Sequence, residues 1–90
     1  MKLVPLKQAQ AKLLNAMADE RIRALTLATF KKDRSLTVRR TEEGWELEER
    51  GFANAVTPLA ADPAGKRLIK EAFKREFPRS NKLCLSETLV

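Results

Sequence analysis

Apolar residues recur at two different spacings along this chain, and the changes of period mark its elements. In PLKQAQAKLLNAMADE, Leu6, Ala9, Leu13 and Met17 fall three or four residues apart among good helix formers. The spacing predicts a helix from Pro5 to Glu20 with one apolar face, Pro5 being tolerated in its first turn. The period then shortens to two. IRALTLATF sets Leu25 and Leu27 on one face and Ala24, Ala28 and Phe30 on the other. Apolar residues on both faces predict a strand that is central or covered on both sides. KKDRS makes a polar turn into LTVRR, where Leu36 and Val38 alternate with Thr37 and Arg39.

The stretch TVRRTEEGWELEERG reads as two strands of a hairpin. A four-residue loop, Thr41 to Gly44, sets Val38 against Leu47 and Arg40 against Trp45 on one face. On the other face it sets Arg39 against Glu46 and Thr37 against Glu48. A three-residue loop would put Val38 opposite Glu48, mixing an apolar face with a charged one. Opposite charges across a strand pair contribute roughly 0.2–1 kcal/mol each, so the four-residue register is the expected one.

Beyond Gly51, FANAVTPLAA is less legible. Phe52 and Val56 extend the strand pattern and Pro58 ends it. DPAGKRLIKEAFKREFP is the clearest segment of the chain: Asp62 suits an N-cap, Pro63 the first helical position, and Pro78 the stop. Leu68, Ile69, Ala72, Phe73 and Phe77 form its apolar stripe. KLCLSE predicts a last strand, with SETLV as a frayed tail.

The expected fold is therefore a single α+β domain over residues 1–90 in the order α-β-β-β-α-β. It has two layers: a three-stranded antiparallel meander flanked by two helices, and an additional C-terminal strand paired with the meander or at its edge. Helix, three strands, helix is also the order of the double-stranded RNA-binding domain. That family's Gly-Pro-His loop and Lys-Lys-x-Ala-Lys run are absent from the sequence, so no family is assigned.

Composition narrows the chemistry. The chain has no His, no Tyr and one cysteine, Cys84. It thus lacks the commonest general base, the commonest zinc ligand, and any Ser/His/Asp or Cys/His arrangement. The expectation is a non-enzyme without a cofactor or metal, in which Cys84 is structural or incidental. Lys7 and Lys12 interrupt any signal-peptide core, and no stretch approaches the ~20 apolar residues of a membrane span. A cytoplasmic location with no membrane association is expected by default.

The formal charge is +6, unevenly spread. Residues 21–40 carry seven basic and one acidic side chain, and residues 62–79 carry six and three; residues 41–50 carry five Glu and one Arg. A basic cytoplasmic protein is drawn to polyanions, chiefly nucleic acid. The candidate phosphate contacts are Lys31, Lys32 and Arg34 at the first hairpin turn, with Lys66, Arg67, Lys70 and Lys74 along the second helix. Glu71 is placed to pair with Arg67 or Arg75.

Trp45, Phe30 and Phe52 lie near basic residues, as base-stacking aromatics do, although Trp45 reads first as core with Arg40 along its ring. The run Glu42, Glu43, Glu46, Glu48 and Glu49 has no calcium-loop spacing. It reads as a solvated face that nucleic acid should avoid. A second expectation is an interaction module that binds a protein partner or forms a homodimer through a sheet edge or the FANAVTPL segment.

Overall fold

The computed structural model describes residues 2–51, 53–60, 63–78 and 80–89, with the Pro63 side chain left aside. The alternating segments pair as a hairpin: β2 (Ile22–Ala28) runs antiparallel to β3 (Ser35–Thr41), which runs antiparallel to β4 (Gly44–Arg50). The β3–β4 register sets Val38 opposite Leu47, Arg40 opposite Trp45, Arg39 opposite Glu46 and Thr37 opposite Glu48, as the charge pattern requires. The ladder extends one pair further than expected, to Thr41 and Gly44, leaving Glu42 and Glu43 as the turn.

The sheet is larger than a three-stranded meander with one added strand. It has six strands in the order β1-β6-β2-β3-β4-β5, every neighbouring pair antiparallel. β1 (Lys2–Pro5) precedes the first helix; four residues are too few to reveal a period, and Pro5 had suggested a helix start. Pro5 is instead extended and ends the strand, so α1 covers Leu6–Asn15, followed by a 3-10 turn at Ala16–Ala18. β5 (Ala55–Leu59) contains Pro58 rather than ending before it. An outermost strand tolerates a residue without an N–H, and β5 is outermost.

β6 (Lys82–Leu89) does not lie at the edge and does not fray. It is inserted between β1 and β2, and its last residues pair with β2: Glu87 faces Leu25 and Leu89 faces Ile22. Burial explains the placement. Leu83 faces Val4 and Leu85 faces Leu27, and all four side chains are buried.

Both helices cover one face. Ala9 and Leu13 of α1 and Ile69, Ala72 and Phe73 of α2 (Pro63–Glu76) share one core with Leu25, Leu27, Leu36, Val38 and Leu47 from the sheet. Phe73 and Phe77 meet edge to face, their ring centroids 5.2 Å apart. Leu68, expected on the α2 stripe, is 39% exposed: it lies at the margin of the stripe, about 40° beyond Ala72 and about 100° from Ile69. Among the described residues the opposite sheet face carries no helix. Side chains alternate along a strand, so this face presents Ala24, Thr26, Thr37, Arg39, Glu46, Glu48, Cys84 and Ser86. Cys84 is a half-buried free thiol on it, between Leu3 and Ala28. Among the described residues no helix is long and apolar enough to cross a membrane.

Candidate nucleic-acid interface

The first cationic group stands on the β2–β3 turn. The Lys32 N–H donates to the Thr29 carbonyl at 2.8 Å, and the Thr29 N–H donates to the Arg34 carbonyl at 3.0 Å. The Thr29 hydroxyl also donates to Asp33 Oδ1 at 2.7 Å. That bond holds the Asp33 carboxyl below the usual carboxylate range. So braced, the turn leaves Lys31 and Lys32 exposed and Arg34 half-buried.

The second group lies on α2. Ile69, Ala72, Phe73 and Glu76 are buried, while Lys66, Arg67, Lys70 and Lys74 are all exposed to solvent. At about 100° and 1.5 Å per residue, Lys66, Lys70 and Lys74 fall within an arc of about 80° and span about 12 Å. Lys74 and Arg75 stand in the last turn, where cations complement the helix dipole. Gly65 is buried at the other end, and a Cβ there would collide with the Ala60 carbonyl. Ala60, just past the end of β5, therefore lies tightly against the first turn of α2.

The turn that carries the first group lies beside the C-terminal end of α2, where Arg34 and the Glu76 carboxylate both approach Gly51. A Cβ added to Gly51 would lie 2.5 Å from Glu76 Oε1 and 2.7 Å from Arg34 Cγ, so the turn, the end of β4 and the end of the helix converge on that glycine. A shallow cleft there is lined by Thr29, Asp33 and Arg34 from the turn and by Glu76, Pro78 and Ser80 from the helix end. The α2 row thus leads toward the turn.

The glutamates are engaged elsewhere. On the open sheet face Arg39 donates to Glu46 at 2.9 Å and to Glu48 at 2.8 Å, and Arg50 donates to Glu48 at 2.6 Å. Hydrogen bonds from Arg39 and then Arg50 hold the Glu48 carboxyl below its ordinary value, and the same pairing raises Arg39. Glu49 points the other way, under α2, where Arg75 grips it with two hydrogen bonds of 2.8 and 3.0 Å. Glu71 is in no ion pair with Arg67 or Arg75 among the described residues; Arg75 takes Glu49 instead. None of the seven candidate cations forms an ion pair among the described residues.

The aromatics divide. Trp45 is half-buried against the core, with the Arg40 guanidinium 5.1 Å from its ring centroid. Phe30, expected on a strand face, lies beyond the end of β2 and is 80% exposed. Phe52 lies outside the described residues. Period-two reading offered one overlooked signal: Glu49 shares the face of Trp45 and Leu47, so it had to be buried and paired. Among the described residues no group of three or more His, Cys, Asp or Glu is placed to hold a metal.

Comparison of the chain with protein-family models, with curated proteins and with solved structures gave no match.

Proposed function

We propose that this protein is a small nucleic-acid-binding module whose turn cations Lys31, Lys32 and Arg34 act with Lys66, Arg67, Lys70 and Lys74 of α2 on one phosphate backbone. A single observation carries the reading: among the described residues these seven cations are outside the ion pairs, while Glu46, Glu48 and Glu49 are bound to arginines. Cations held in no salt bridge can displace counterions from a polyanion, which is the main source of sequence-independent affinity; Asp33, close to Lys31 and Arg34, is the carboxylate that offsets part of the turn's charge.

Binding to single- and double-stranded DNA and RNA at two salt concentrations tests this. Micromolar binding that weakens steeply with salt and drops in a Lys66→Ala/Lys70→Ala variant supports the proposal. Absence of binding at low salt ends it. Docking through a sheet edge has less support, because both outer strands are short and each contains a proline, Pro5 in β1 and Pro58 in β5. Such edges offer a poor template for an added strand.

A further inference from the structure

Phe30 and Lys31 occupy the two central positions of the turn that the Lys32 N–H closes onto the Thr29 carbonyl. Turns favour Gly, Asn, Asp, Pro and Ser, yet this one holds a phenylalanine that is 80% exposed. Burying such a ring would contribute about 1.5–3 kcal/mol, and here that contribution is forgone. Among the described residues, the other large apolar side chains that are exposed (Leu3, Val56, Leu68 and Leu89) are all aliphatic.

A second departure lies two residues on. Lys32 has φ 60°, a left-handed conformation that glycine or asparagine adopts at less cost. The β3–β4 turn meets its own positive-φ requirement with Gly44, at φ 129°. The chain thus uses glycine where only the turn matters and keeps a lysine where a charge would be lost. Two locally unfavourable choices at one tip, braced by Thr29 and Asp33, fit a contact prepared in advance.

We infer that the β2–β3 tip is a base-stacking element. Phe30 lies against the face of an unpaired base, while Lys31 and Lys32 hold the flanking phosphates. The preferred ligand is therefore single-stranded nucleic acid or a single-stranded loop, not continuous duplex, because bases inside a duplex present no free face to an aromatic ring. Asp33 is the opposing charge at this tip, and the Thr29 hydroxyl holds it within the turn. The inference rests on the phosphate-binding reading above and adds the class of ligand.

The test titrates wild type, Phe30→Ala, Phe30→Leu and Lys66→Ala/Lys70→Ala with a labelled single-stranded RNA, its duplex and heparin. Phe30 lies outside the core, so both Phe30 variants retain the wild-type thermal transition. The expected result is a loss on the order of tenfold for single strands in both Phe30 variants, since stacking needs a π face and leucine has none. Binding to duplex and heparin stays unchanged. Wild-type affinity for single strands in Phe30→Ala, with weakening only in the lysine variant, overturns the stacking role and leaves phosphate binding standing. Absence of binding by wild type removes both. Full affinity in Phe30→Leu, or Phe30-dependent binding to phosphatidylserine vesicles with single-strand binding unaffected, identifies an apolar or membrane contact and also overturns stacking.

Discussion

Arg75 donates two hydrogen bonds to the Glu49 carboxylate, 2.8 and 3.0 Å long, joining the last turn of α2 to the buried face of β4. Glu49 is only 4% exposed, so its charge relies on this partner. The pair docks the end of the helix and neutralises a carboxylate beneath it. Arg75→Ala leaves Glu49 buried without its partner and is expected to cost about 1–3 kcal/mol. Denaturant unfolding of Arg75→Ala, Glu49→Gln and the double variant should give a coupling of about 0.5–3 kcal/mol. Strict additivity would deny the pair a structural role.

The same contact sets an acid limit. The Arg75 guanidinium, with a smaller contribution from Glu76, holds Glu49 below its ordinary value of 4.5. The unfolded chain therefore takes up this proton at higher pH than the folded chain does. The stability contributed by Glu49 is complete above pH 4.5 and is lost as pH falls through the lower folded value. Unfolding free energy measured from pH 7 downward should decline less steeply in Glu49→Gln than in wild type.

Gly51 and Gly44 separate two costs. Both have positive φ, but a Cβ at Gly44 meets nothing within 4 Å, whereas one at Gly51 meets Glu76 and Arg34. Gly44→Ala should cost about 1 kcal/mol from backbone conformation alone, and Gly51→Ala more than that, up to about 3 kcal/mol. Chemical denaturation of both variants checks the order. Equal losses would mean that the turn, β4 and the end of α2 do not converge on Gly51.

Lys32→Gly should trade binding for stability. Glycine relieves a left-handed backbone that costs a lysine about 1–2 kcal/mol, so the midpoint of unfolding rises or holds. Nucleic-acid affinity falls, because the charge at the tip is gone. A variant that gains stability and keeps full affinity would show that Lys32 has no role in binding.

Much of this architecture is legible in the alternation of side chains. Val38, Leu47, Arg39 and Glu46 specify the β3–β4 register, because slipping by one residue would bring apolar and charged side chains together. Ile69, Ala72 and Phe73 likewise specify the buried face of α2. What was not legible depends on partners distant in sequence. Lys2–Pro5 is a strand only because β6 is available beside it, and Ala55–Leu59 tolerates Pro58 only because nothing pairs beyond it. At the proposed interface, charge alone points to the seven cations. The engagement of Glu46, Glu48 and Glu49 depends on Arg39, Arg50 and Arg75, and the outward position of Phe30 depends on where β2 ends.

We propose that the β2–β3 turn and the exposed flank of α2 act together on one polyanion. The most direct measurement is the slope of log Kobs against log salt for single-stranded nucleic acid in wild type, Lys31→Ala/Lys32→Ala and Lys66→Ala/Lys70→Ala. Each single-strand phosphate contact contributes a slope of about 0.7, so each double variant should flatten the wild-type slope by about 1.4. A slope that only one of the two variants changes, or binding indifferent to salt in wild type, would contradict the claim.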